Sequence, residues 1–290
     1  MTEEIPAGSD VGIPNVVYDP GSAYRWDQLS ESEFLSDVLS RLVRELGPAA
    51  PDFSIHVHST HDPKGVPALA HEPSSARRVL VRISDESGSV PHHLSGLYDH
   101  VFATYLPHDP PERDRMHPFP LGHVNGVPVK EGEGATSRRI RIFFSGNLNS
   151  ARHDLYRAVH PFLRSVPPAI AGRLIALLRR RLPTSIRWDL SDASRGEVVL
   201  FSDRFRGGLA PEEYARHLAD STLVLCPAGF KQPETFRHHE ALRAGAVIVT
   251  EPLPDTILYR DAPFLTVTDW VEGLLEARRL ADDCDHVSDM

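Results

Sequence analysis

The segment STLVLCPAGFKQPETFRHHEALRAGAVIVT, residues 221–250, constrains the fold more than any other part of the chain. An apolar run stops at Cys226-Pro227, and a loop with Gly229 and Lys231 follows. A helix pattern carrying Arg237 and Glu240 then leads through Gly245 into a second apolar run. Strands joined through a helix pair in parallel with a right-handed crossover, since a parallel pair needs a long connection. The same alternation fills the rest of the chain. FSIHVH (53–58), RVLVRIS (78–84) and HVFATYL (100–106) read as strands, as do RIRIFF (139–144), EVVLF (197–201) and FLTV (264–267). Helices are predicted for SESEFLSDVLSRLVRELGP (30–48), SARHDLYRAVHPFL, PAIAGRLIALLRRR, PEEYARHLA and DWVEGLLEARRLA. The first opens with Ser30 and Glu33 as a capping box and stops at Gly47-Pro48.

This pattern predicts α/β architecture with parallel sheets. The expected organisation is an irregular arm over 1–25, an N-terminal lobe over 26–130 and a C-terminal lobe over 138–268. A closing helix and acidic tail occupy 269–290, and the polar KEGEGATS (130–137) is the expected linker.

A net charge of −9 argues against nucleic acid or an anionic membrane as a main partner, because both reward clustered positive charge. Only RLIALLRRRLP (173–183) is locally basic, and its arginines suit the negative end of a helix dipole. No apolar run is long enough to span a bilayer, and the N-terminus has no signal-peptide pattern. Two cysteines, Cys226 and Cys284, make no disulfide framework, which fits a cytoplasmic compartment.

In a parallel sheet, ligands bind outside the carboxyl ends of the strands, where helix N-termini also point. The loop PAGFKQPE occupies such an edge. Amide groups opening the next helix can bind an anion, Gly229 admits close approach, and Lys231 and Arg237 can add charge-assisted bonds to phosphate. Glu240 follows Arg237 by three residues, on the same helix face. Phosphate repels a carboxylate, so Glu240 suits ribose or sugar hydroxyls instead. The plainer alternative is a solvated Arg–Glu pair worth a few tenths of a kcal/mol, with Gly245 merely ending the helix.

The stretch STLVLCPAGFKQPETFRHHEALRAGAVIVTEP resembles the signature of the exostosin-like glycosyltransferases, family 47. The matching positions are Cys226-Pro227-Ala228-Gly229, Thr235-Phe236-Arg237, Glu240-Ala241-Leu242, Gly245 and VIVT. Upstream, IRIFFSGNLNSARHDLYRAV resembles the family's strand–glycine–arginine element through Gly146 and Arg152, so the likeness covers about residues 138–255. It implies a GT-B-like fold of two Rossmann-like lobes with an interlobe cleft. It further implies metal-independent transfer, with inversion, from a nucleotide-sugar such as a UDP-sugar. Arg152 and Arg237 would hold the diphosphate, Ser145 and Gly146 would offer backbone donors, and Thr235 belongs to the same motif. Glu240 would hold hydroxyls. The acceptor would be a small molecule or a lipid-linked glycan, without stable membrane insertion, and the setting cytoplasmic and bacterial. The chain is short for two full lobes, and it shows no anchor or stem of the kind animal members carry.

Inverting transfer needs a base for the acceptor hydroxyl. Asp85 and Glu86, at the end of RVLVRIS, are the expected base, with His58, His61 and His123 next. HVHSTHD (56–62) raises a metallohydrolase as an alternative, although its third histidine is displaced from the usual His-x-His-x-Asp-His run. Loss of the base would leave a non-catalytic nucleotide-sugar- or glycan-binding module.

Overall fold

Strands with one apolar and one mixed face build the first half of the chain. In the computed structural model, which describes residues 11–130, 137–181, 187–204 and 207–283, five strands pair in parallel and in chain order. They are Val16–Tyr18 (β1), Phe53–Ser59 (β2), Arg77–Ile83 (β3), His100–Ala103 (β4) and Met116–Pro118 (β5). Side chains alternate along a strand. Ile55, Val57, Val79, Val81 and Ile83 therefore share a face, which packs under Leu35 and Leu39 of the helix Ser32–Leu46 (α1). The opposite face sets the buried His56, His58 and Arg82 beside Leu80 and Val101.

Two of these strands fall where none was expected. β1 lies inside the stretch read as an irregular arm, and three residues are too few to show a period of two. Residues 1–10 of that arm lie outside the described residues. β5 lies in a proline-rich stretch read as loop, and its Pro118 is tolerated because β5 is an edge strand.

The start of α1 also differs from the expected Ser30–Glu33 box. The helix begins at Ser32, and no side chain of its flanking residue caps it. Asn125 does this instead. Its Oδ1 accepts from the Glu33 N–H at 2.9 Å, and its Nδ2 donates to the Leu29 carbonyl at 2.8 Å and to Ser32 Oγ at 2.9 Å. A cap supplied from so far along the chain leaves no local signature.

The second half is a doubly wound sheet. Ile140–Asn147 (β6) lies inside it, flanked by Glu197–Ser202 (β8) and Ser221–Cys226 (β9). Beyond β8 lies the antiparallel edge strand Arg187–Asp189 (β7). Beyond β9 lie Val247–Thr250 (β10) and Phe264–Thr266 (β11). The order 11-10-9-6-8-7 reverses direction at β6. Helices His153–Val159 (α2) and Trp270–Asp282 (α6) bury Leu155, Tyr156, Trp270 and Leu274 on one face. Helices Pro211–Ala219 (α4) and Phe236–Arg243 (α5) bury Leu218 and Ala241 on the other. Helix Pro168–Arg181 (α3) contributes Ile175 to the first face. Among the described residues no helix is long and apolar enough to cross a membrane.

The chain divides into two compact units, Met1–Asn125 with Pro254–Asp261, and Gly126–Leu253 with Ala262–Met290. The first boundary lies just before the expected linker, of which residues 131–136 are outside the described residues. The return of Pro254–Asp261 to the first unit was not expected. It is held by a bridge between His108 and Asp255 and by Asp109, which accepts from the Ile257 N–H and pairs with Arg260. Among the described residues the first unit shows no reversal of strand order; the second has one, and with it the crevice that a doubly wound sheet offers to ligands. Removing the distant cap, Asn125→Ala, should lower stability by about 1–2 kcal/mol. Urea unfolding should show an earlier midpoint with an unchanged slope.

Candidate functional site

The carboxyl end of β6 is where the second sheet changes direction. Its last residues, Ser145, Gly146 and Asn147, run into a turn closed by Asn149, whose Oδ1 accepts from the Arg152 N–H at 3.2 Å. That cap starts the helical segment at Ser150 and brings the Arg152 side chain back over the strand end. The guanidinium donates to the Ala228 carbonyl at 3.2 Å, to the Asn147 carbonyl at 2.8 Å and to Asn147 Oδ1. From the other direction α5 delivers Arg237, whose Nη2 donates to the Ser145 carbonyl at 2.6 Å. Its guanidinium carbon lies 4.9 Å from the centre of the Phe144 ring.

Both arginines are buried, and the acceptors named for them are neutral oxygens rather than carboxylates. Arg237 is 8% exposed, yet its Nε and Nη1 have no partner among the described residues. Burial, reinforced by the charge of Arg237, pulls the Arg152 guanidinium down to about 9. Two like charges held out of water cost several kcal/mol unless an anion joins them. What this arrangement can do chemically is take up an anion of more than one negative charge.

Gly146 makes the pairing possible. A methyl group there would sit 2.5 Å from Arg237 Nη2 and 3.1 Å from Arg152 Nη1. Beside it, Ser145, Phe201, Ser202, Gly207 and Gly208 line a small crevice at the ends of β6 and β8.

Glu240 is buried on α5, and its Oε2 accepts from the Tyr214 hydroxyl of α4 at 2.9 Å. Burial and the neighbouring carboxylate push the Tyr214 phenol well up, so it remains a donor. Glu251, after β10, fixes the loop: its Oε2 accepts from the Ala228 N–H at 2.7 Å and its Oε1 from the Trp270 indole. Burial raises its carboxyl above the usual range.

Of the residues expected to hold a donor, Ser145, Gly146, Arg152 and Arg237 converge on one point, and Glu240 shares α5 with Arg237. Ser145 meets Arg237 through its carbonyl. The Gly229 N–H is used inside the loop, on the Gln232 carbonyl at 2.8 Å, and the Lys231 side chain is exposed. Thr235 flanks the first turn of α5 and bonds with His238. Tyr214, Asn149 and Glu251 were not legible, because their parts depend on contacts between separate elements.

His238 ties the start of α5 to β10. Its Nδ1 accepts from the Thr235 N–H at 3.0 Å, since a backbone amide can only donate; Nε2 then donates to Thr250 Oγ1 at 2.8 Å. Burial lowers this imidazole from 6.5 to about 3.

In the first unit, Asp85 does not present a free carboxylate. It is 5% exposed, and its Oδ2 accepts from Arg82 Nη1 at 2.7 Å. Glu86, beside it, is half-buried. His56 bonds to Ser54 and to Tyr98, His58 to Asp19 and His61 to Tyr24 and the Ser84 carbonyl. His123 Nδ1 lies 3.3 Å from the Val124 carbonyl. Among the described residues no three His, Cys, Asp or Glu side chains group as metal ligands would. Cys226 is fully buried, and its thiol is pushed up to about 12; Cys284 lies outside the described residues. No protein-family model, curated protein or solved structure matches the chain.

Two outcomes follow from this geometry. Gly146→Ala should cost about 1–3 kcal/mol through overpacking against the guanidinium groups; an unchanged urea midpoint would mean that they are free to move aside. His238 stays neutral in the folded chain but takes up a proton once unfolded, below pH 6.5. Its contribution to stability is therefore complete above 6.5 and declines by about 1.4 kcal/mol per pH unit towards 3. Unfolding titrations from pH 7 to 4 should show a shallower acid slope in His238→Gln.

Proposed function

We propose that the chain is a glycosyltransferase that moves a sugar from a nucleotide-sugar, with a UDP-sugar as the expected donor, to an acceptor hydroxyl. The observation that carries this is the pair of buried guanidinium groups at the reversal of the second sheet. A diphosphate supplies the charge they lack, and the unpartnered Nε and Nη1 of Arg237 supply donors for it. As the bond to the leaving diphosphate breaks, negative charge grows on its oxygens, and two fixed cations in a dry site stabilise that charge most. Glu240, held by Tyr214, is a carboxylate suited to ribose or sugar hydroxyls. The resemblance of residues 138–255 to exostosin-like transferases supports the same reading, together with a GT-B-like fold, inversion and a cytoplasmic, bacterial-type setting. The acceptor class remains a small molecule or a lipid-linked glycan, and no metal is required by the proposal.

Thermal-shift titration with nucleoside diphosphates and their sugars, with and without EDTA, tests it. A nucleoside diphosphate should raise the melting temperature in both conditions. Arg237→Ala should weaken that binding by about 10- to 100-fold, the loss expected of a charge-assisted hydrogen bond. Stabilisation by none of these nucleotides would sink the proposal.

A further inference from the structure

Helix α3 is joined to the second sheet by a narrow seam. Among its described side chains only Ala171 and Ile175 are buried. The rest of the helix turns apolar residues outward. Ile170, Leu174 and Leu177 are 52%, 41% and 47% exposed. Spacings of four and then three residues place them in one stripe along the helix. Phe162, in the turn that leads towards the helix, is 83% exposed. Single apolar side chains on a surface need no explanation, but a stripe of them marks contact with another body.

Charge says which body. Between Asp154 and Asp189 the sequence holds seven arginines and neither Asp nor Glu, in a chain whose net charge is −9. Arg157 is buried against Asp154 and Asp269, but Arg164 and Arg173 are exposed. Arg173 follows Ile170 by three residues and so flanks the stripe. The last turn of α3 carries Arg179, Arg180 and Arg181. The negative end of the helix dipole accounts for arginines in that turn. It accounts neither for Arg164 and Arg173 nor for the apolar residues beside them. An apolar stripe bordered by arginines is the pattern of a helix that lies in the headgroup layer of a membrane. A second copy seated on this face about a two-fold axis would set arginine against arginine.

We infer that α3 docks the second unit on an anionic lipid surface. The stripe of Ile170, Leu174 and Leu177 enters the boundary between headgroups and acyl chains, and the arginines meet the lipid phosphates. The negative charge of the whole chain opposes general attraction to such a surface, so contact is confined to this face and needs the apolar stripe as well as the arginines. The docking requires no nucleotide-sugar and stands apart from the transferase reading.

Sedimentation of the full chain with lipid vesicles tests this. The chain should pellet with vesicles of equal parts phosphatidylcholine and phosphatidylglycerol, stay in solution with phosphatidylcholine alone, and be released as salt is raised. Leu174→Ser combined with Leu177→Ser should weaken binding by at least about 10-fold, and Arg173→Glu by about 5-fold or more. These side chains are exposed, so the urea midpoint of each variant should match that of the wild type. Leu174→Trp should pellet as the wild type does, and its added indole emission should shift to the blue when the mixed vesicles are present. Failure of the wild type to pellet with the mixed vesicles overturns the inference. So does equal binding to phosphatidylcholine alone, binding that the paired serine substitution leaves intact, or an indole emission that the vesicles do not move. A dimer in vesicle-free solution that the same serine pair dissolves overturns it in favour of a second copy.

Discussion

Two guanidinium groups buried against one glycine set the terms for the second unit. Arg152 arrives from the turn after β6 and Arg237 from the helix after β9, so the pair exists only because the sheet reverses its winding between those strands. Each is anchored by carbonyl oxygens, which fix direction without cancelling charge. The Phe144 ring face under Arg237 adds a weak attraction of the same kind. The rest of the unit serves this placement. Glu251 holds the loop that offers its carbonyl to Arg152, and His238 locks the helix that carries Arg237.

Much of this was legible in the chain. Long elements with a clear period were placed correctly, as were the strand end at Cys226, the helix carrying Arg237 and Glu240 and the turn at Gly245, where φ is 69°. Arg237 could be picked out because a helix-start arginine after an apolar strand falls at the ligand-binding edge of a parallel sheet, whereas Arg152 was reached only through the family resemblance. Short strands such as β1, β5 and β7 were not legible, since three residues give no period. Nor was the role of Asp85. A carboxylate after a strand reads equally well as a base or as an anchor. Arg82, three residues earlier, turns inward with it.

The first unit shows the reverse economy. Its sheet has an ordinary apolar face under α1, and its mixed face carries buried polar and charged side chains. His56 and His58 were expected to share a face, and they do, but Tyr98 and Asp19 occupy their nitrogens. The histidine outside the strand is the one that solvent can reach. Sequence alone could not separate them, because the difference lies in exposure rather than in spacing.

The return of Pro254–Asp261 to the first unit has a bearing on how the protein is made. A ribosome releases the chain from its N-terminus. The helix cap at Asn125 becomes available early, but the Asp255 bridge and the Arg260 partner of Asp109 emerge only after most of the second unit. The first unit must therefore wait, incomplete, while nearly all of the second is being produced. A gene cut at the apparent boundary would deliver an N-terminal fragment missing its last piece.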